Sequence, residues 1–313
     1  MTSGVRLREL ASEALTGTQD ANALKALVAV VQNKAEDVDL RTIAASALAG
    51  TRDADALKAL AAVVQDRTSF KAGYLRESAV RALFGIEDAD AVKALVTVMQ
   101  DKTDHIGLRE LVAAALTRTR DADALKALAA VVQDCREGID LRQIAAEALV
   151  GTHHPDALEA LAVVVQNTKD GVFLREIAAK ALSGTQDADA LKALVTVVQD
   201  TTAPIDLRHL AVVALIGTQD ADAMTALAAF VQDITNAHSL RCRVAEAMIG
   251  THDVGALKAL AAVVQNMKDG IILRRLAAKA LIGIVNADAL KALVAVVSDK
   301  DDYVEVRHEA AEA

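Results

Sequence analysis

Apolar positions along the chain fall in two alternating helical registers. From Asp187 to Gln199, Leu191, Leu194, Val195 and Val198 recur at three- and four-residue spacing, one face of a helix. From Leu174 to Ser183, Leu174, Ile177, Ala178, Ala181 and Leu182 do the same. Gly184 follows, a residue suited to the left-handed turn that closes a helix. The pattern predicts two short amphipathic helices per unit, joined by polar links.

The unit recurs along the whole chain. Its most regular mark is a Leu-Arg pair, at Leu7-Arg8, Leu40-Arg41, Leu75-Arg76, Leu108-Arg109, Leu141-Arg142, Leu174-Arg175, Leu207-Arg208, Leu240-Arg241 and Leu273-Arg274, with Val306-Arg307 as a degenerate tenth copy. Every step is 33 residues except the 35-residue step from Leu40 to Leu75, whose two extra residues fall in 66–74. One two-helix unit cannot bury its apolar face alone, whereas stacked units bury a continuous core. The sequence therefore predicts an all-α protein: a right-handed α-solenoid of about nine two-helix repeats, forming a single domain over 1–313. Half-units stand at both ends, which suits either a longer array or end-to-end self-association.

Turn chemistry supports the helix boundaries. Asp20, Asp53, Asp88, Asp121, Asp187, Asp220 and Asp253 stand where a side-chain oxygen would cap the first helix of each unit. Asn286 is an equivalent cap, and Pro155 after His154 suits the first helical position. Gly occupies the closing turn of the second helix in eight of nine copies; Arg118 is the exception and is expected to share the left-handed backbone.

The helix, acidic link, Leu-Arg and following small-residue run resemble HEAT repeats, and most closely the short bacterial variety of phycocyanobilin-lyase-like proteins. The resemblance extends from about Leu7 to Ala313. It implies an α-solenoid whose second helices line the concave side. It also implies an Asp and an Arg near the turn into the second helix. The Arg is kept throughout. The acid is not: Asp39, Asp140 and Asp206 precede Leu, but Tyr74, Gly107, Phe173, Ser239 and Ile272 take the same place elsewhere. The Asp that starts each first helix is then the expected recurrent partner of Arg8, Arg41, Arg76, Arg109, Arg142, Arg175, Arg208, Arg241, Arg274 and Arg307, read as a structural ladder between repeats.

The second helices carry the candidate binding face. Counted from the Leu of Leu-Arg as position 0, the apolar positions 0, +3, +4, +7 and +8 leave +2 and +9 opposite, flanked by +5 and +6. At +9 the last three full copies read Ile216, Ile249 and Ile282, with Val212 and Val213 nearby in the seventh. An exposed apolar stripe over neighbouring helices is a binding surface by default. The expected partner site is Ile216, Ile249 and Ile282 with Val213, rimmed by His209, Glu246, Arg275 and Lys279; the competing expectation is that these isoleucines are core. Arg243 stands at +3, apolar in most copies, and is expected to reach the groove edge or pair with an acid.

Composition narrows the function. The net charge of −9 and an aromatic content of 2% argue against nucleic-acid binding, although the arginine series and Lys25, Lys58, Lys93, Lys126, Lys192, Lys258 and Lys291 invite an anion-tracking reading. Cys135 and Cys242 are far apart and give no disulfide framework. No metal-ligand spacing, phosphate loop or nucleophile setting is written in the chain, so no catalytic residue, metal or cofactor is assigned. The chain opens MTSGVRLREL without a signal-peptide apolar region, and no run suits a membrane span, so a cytoplasmic location is expected. The reading is a non-catalytic scaffold binding a protein partner. The family resemblance leaves a bilin-lyase-like or chaperone-like subunit as the alternative, with Phe70, Tyr74, Arg81 and Phe84 as the cluster to begin a tetrapyrrole pocket. Nucleic-acid reading is a third, disfavoured class.

Overall fold

The computed structural model describes residues 14–67 and 73–313; Arg8 and Phe70 lie outside them. Eighteen helices and no strands occur among the described residues. The first helices of the repeats are α1 (Ala21–Gln32), α3 (Ala54–Gln65), α5 (Ala89–Gln100), α7 (Ala122–Gln133), α9 (Pro155–Gln166), α11 (Ala188–Gln199), α13 (Ala221–Gln232), α15 (Val254–Gln265) and α17 (Ala287–Ser298). The second helices are α2 (Val38–Ala47), α4 (Gly73–Ala82), α6 (Ile106–Ala115), α8 (Ile139–Ala148), α10 (Val172–Ala181), α12 (Ile205–Leu215), α14 (His238–Ala247), α16 (Ile271–Ala280) and α18 (Val304–Glu312).

The fold is all-α, built of paired helical repeats, in two compact units of residues 1–164 and 165–313. Within the first, α1, α3, α5 and α7 stack in series, as do α2, α4, α6 and α8. Within the second, α11, α13, α15 and α17 form one series, while α10 packs on α12 and α14, α16 and α18 follow one another. Leu and Ala fill the interface: Leu60, Leu128 and Leu260 in first helices and Leu75, Leu141 and Leu273 in second helices are fully buried. Alanines at +5, such as Ala45, Ala113 and Ala278, are also buried, where a small side chain permits close helix approach.

The turn before most first helices follows one design. Gly50, Gly184, Gly217 and Gly250 take φ of +75° to +90°. The following Thr accepts the cap residue's N–H, as Thr185 Oγ1 does from Asp187 at 3.1 Å. The cap Asp then accepts the third helical N–H, as Asp187 does from Ala190 at 2.9 Å. Asn286 caps α17 the same way, and Pro155 is the first residue of α9. Arg118 has φ +67°, the one non-Gly residue with positive φ among the described residues. The second helices begin two residues before Leu-Arg: Arg175 already donates its N–H to the Gly171 carbonyl, so Leu and Arg are the third and fourth helical residues.

The arginine ladder corrects the expected pairing. Each described ladder arginine from Arg41 to Arg307 donates Nε to a backbone carbonyl ten residues earlier, such as Val31 at 3.0 Å and Val264 at 2.8 Å, or twelve earlier for Arg76 in the 35-residue step, whose acceptor is Val64 at 2.8 Å. Those carbonyls sit at the C-terminal ends of the first helices, where a cation complements the helix dipole. The cap Asp of the same helix is eleven residues from that carbonyl, about 16 Å along the axis, and its oxygen is already occupied. The carboxylate that meets the guanidinium comes instead from the link of the following repeat, 28 residues on. Arg76 grips Asp104 at 2.9 and 2.6 Å, and Arg109 grips Glu137 at 2.8 Å through both terminal nitrogens. Arg241 meets Asp269 at 2.6 Å, and Arg274 meets Asp302 through both nitrogens. These pairs tie consecutive repeats together at buried positions.

Two later steps differ. The residue 28 after Arg175 is Ala203, and that after Arg208 is Asn236. Asn236 turns its amide to the Phe230 carbonyl at 3.0 Å. The Arg208 guanidinium lies 6.0 Å from the centroid of the Phe230 ring instead.

Candidate functional site: the exposed arc of the second helices

Burial of the second helices follows from their neighbours on three sides. Positions 0, +4, +7 and +8 face the first helices and the adjoining second helices, and +5 is buried too. What remains open is +6 and +9, with +2 and +3 half-buried on most copies. The buried arc is therefore wider than the one-face count implies, because a helix inside a stack is covered from both sides along the series.

On α12, α14 and α16 and in the turns that close them, this arc carries most of the residues named above; Ile216, Ile249 and Ile282 follow the helix ends at Leu215, Ala247 and Ala280. Ile249 and Ile282 are 43% and 45% exposed, and Ile216 is half-buried. Glu246, Arg275 and Lys279 are exposed and Val213 is half-buried. Val212 is a correction: at +5 it is 0% exposed and belongs to the core, not to the stripe. His209 is also less open than a rim position implies. Its ring stands edge-on to Phe230 with centroids 6.4 Å apart, and its Nε2 is buried without a hydrogen-bond partner. The cause is Phe230, which replaces the Val found at the same place in other first helices, such as Val197 and Val263, and fills the space beside α12.

The arc is polar as well as apolar. Arg275 binds Glu309 of the next second helix at 3.1 Å, and both line a cavity of about 230 Å³ with Ile272, Leu276 and Lys279. Ile249 lines a different cavity of about 370 Å³ with Met224, Thr251 and His252. The named residues thus group in two places, Arg275 with Lys279 and Ile249 with the turn before α15. Arg243 is exposed, which removes the cost of burying an unpaired guanidinium at +3. Cys242 lies 3.6 Å from the His238 Nε2; burial pushes its thiol above its ordinary pKa, which keeps it neutral.

Among the described residues no group of three or more His, Cys, Asp or Glu is placed to hold a metal ion. No helix of the described residues is long and apolar enough to cross a membrane. Tyr74 and Phe84 are exposed and Arg81 pairs with Glu77 of its own helix at 3.3 Å.

The link acids of the ladder escaped the sequence reading, which tested the position directly before Leu. The signal lies four residues before it: Glu36, Asp104, Glu137, Asp170, Asp269 and Asp302 share that column.

No family model matches the chain, and no curated protein matches it. Solved structures similar to it include the karyopherin Kap121p bound to the extreme C-terminus of the protein phosphatase Cdc14p, at 12% identity and TM-score 0.49, covering 99% of this chain and 37% of that one. The complex of CpcE and CpcF of phycocyanin lyase from Nostoc sp. PCC7120 is similar at 22% identity and TM-score 0.40, covering 83% of this chain and 93% of that one. Human deoxyhypusine hydroxylase in complex with glycerol is similar at 22% identity and TM-score 0.35, covering 82% and 93%.

Proposed function

We propose that the protein is a non-catalytic scaffold that binds a protein partner along the exposed arc of α12, α14 and α16. The contact residues in this reading are His209, Val213, Ile216, Glu246, Ile249, Arg275, Lys279 and Ile282. The observation that carries it is the exposure of Ile249 and Ile282 in the closing turns of consecutive second helices, beside the exposed Glu246 and Lys279; at this register Ala49, Thr117 and Ser183 are small, while Phe84 and Val150 are as open as the isoleucines. Large aliphatic side chains left half in water cost solvation that a partner surface would recover. Exposed charges beside them, Glu246 and Lys279, provide the polar rim of an interface. The arginine ladder does not bind the partner in this reading; its guanidinium groups are held by first-helix carbonyls and, at Arg76, Arg109, Arg241 and Arg274, by link carboxylates.

The test is affinity capture from the source lysate with wild type and with Ile249→Glu/Ile282→Glu. Both positions are open enough that the variant is expected to keep its helical content and melting temperature. A protein captured by wild type and lost by the folded variant supports the site. A partner retained by both moves it elsewhere.

A further inference from the structure

The turns before the first helices mostly read Gly-Thr-x-Asp, as in Gly184-Thr185-Gln186-Asp187 and Gly217-Thr218-Gln219-Asp220. Four turns depart from this: Gly85-Ile86-Glu87-Asp88 and Gly283-Ile284-Val285-Asn286 add no basic group, while two consecutive turns between them do. Arg118-Thr119-Arg120-Asp121 replaces the Gly by Arg, and Gly151-Thr152-His153-His154 replaces the Asp cap by His. The two turns meet. Arg118, Arg120, His153 and His154 line one cavity of about 650 Å³ in the first unit, with Leu125 and Val150 as its apolar wall.

The equivalent cavity in the second unit provides an internal comparison. It is lined by Gly217, Thr218, Gln219, Gly250, Thr251, His252 and Asp253 and measures about 370 Å³. At the four corresponding positions, Gly, Gln, His and Asp have become Arg, Arg, His and His. Among the lining residues a carboxylate has been removed and two guanidinium groups added, in a chain whose net charge is −9, although Asp156 stands just outside them where the compared turn has Gly255. The position of Arg118 resists this: its backbone stays in the left-handed region that Gly occupies in eight other turns. The His154 Nδ1 is buried with no hydrogen-bond partner; the nearest carboxylate oxygen, on Asp156, is 3.9 Å away. Asp121 caps its own helix by accepting the Ala124 N–H at 2.9 Å.

We propose that this cavity binds a phosphate monoester of a small molecule. Two guanidinium forks and two imidazoles offer more donors than the two oxygens of a carboxylate accept, and a terminal phosphate has three. The cavity is larger than a bare oxyanion needs, and Leu125 and Val150 give the organic part an apolar wall. The site lies in the first unit and uses none of the proposed contact residues, although its Val150 holds the register that Ile249 holds in the second-unit cavity, and it stands whether or not those contact residues bind a protein.

The experiment is calorimetric titration at low ionic strength with O-phosphoserine, inorganic phosphate and acetate, using wild type and Arg118→Gly/His154→Asp. The double variant restores the turn found elsewhere in the chain, so loss of binding does not come from loss of folding. Wild type is expected to bind phosphoserine more tightly than acetate, and the double variant to bind it about tenfold or more weakly. Equal affinity for inorganic phosphate and phosphoserine would assign the site to free phosphate and overturn the ester assignment. Absence of phosphoserine binding to wild type, or binding unchanged in the double variant, would overturn the site itself.

Discussion

At the residue scale, the repeat acts as its own control, because each position is seen in several copies. The Gly column of the sequence singles out Arg118 as the residue expected to take left-handed backbone without being Gly, and its φ is +67°. Arg118→Gly is expected to stabilise the protein by up to about 1 kcal/mol, the usual cost of left-handed backbone without Gly. Thermal melting checks this; an unchanged melting temperature would mean the Arg side chain recovers the strain through contacts. Arg274 is the opposite case. It is 0% exposed and holds Asp302, so Arg274→Ala strands a buried carboxylate and is expected to cost about 3–5 kcal/mol. Arg274→Met/Asp302→Leu is expected to cost far less in the same denaturant titration, because both charges leave together.

At the element scale, helix identity and the first-helix boundaries were legible, since cap and period agree; the second helices run two residues earlier than Leu174–Ser183 implies, Val172–Ala181 in that copy, where no side-chain cap marks the start. The link acids were not, because their partner is 28 residues earlier in another repeat and no local rule points there. The width of the buried arc was also hidden: Val212 reads as an outward position on a single-helix wheel, but the neighbouring second helix covers it. The ladder makes a prediction at this scale. Arg175 has Ala203 where Arg76 and Arg274 have Asp. Its guanidinium is buried and its Nε bonds only the Val165 carbonyl at 3.0 Å. Ala203→Asp is expected to raise stability by about 1 kcal/mol in urea titration, the hydrogen-bond gain less the desolvation of the new carboxylate. A loss of stability would mean that the field of nearby Asp200 already balances this arginine.

At the scale of the whole molecule, the repeat architecture was written in the 33-residue period, while the partner was not, because binding faces are where copies differ and no single copy states a rule. The ladder acids also give the molecule its acid sensitivity. Hydrogen bonds from Arg109 hold Glu137 below its ordinary 4.5, and those from Arg274 hold Asp302 below its ordinary 3.8. Burial raises Asp104, but hydrogen bonds from Arg76 and the His105 N–H outweigh it and leave it lowered as well. Carboxylates with depressed folded-state pKa contribute stability above their unfolded values and lose it as pH falls through the folded ones. The melting temperature is therefore expected to be insensitive to these groups between pH 7 and 5 and to fall progressively below the ordinary values of 3.8 and 4.5. A loss centred near pH 6 would point to histidines instead.

The most direct test of the binding account is site-specific photo-cross-linking in the source cells. A photoreactive residue is placed at Lys279 on the second-helix arc, at Glu246 on the neighbouring helix, and at Lys258 on the exposed side of a first helix. The account predicts one protein cross-linked from both 279 and 246 and not from 258. Cross-links from 258 alone, or none from 279 and 246, would contradict it.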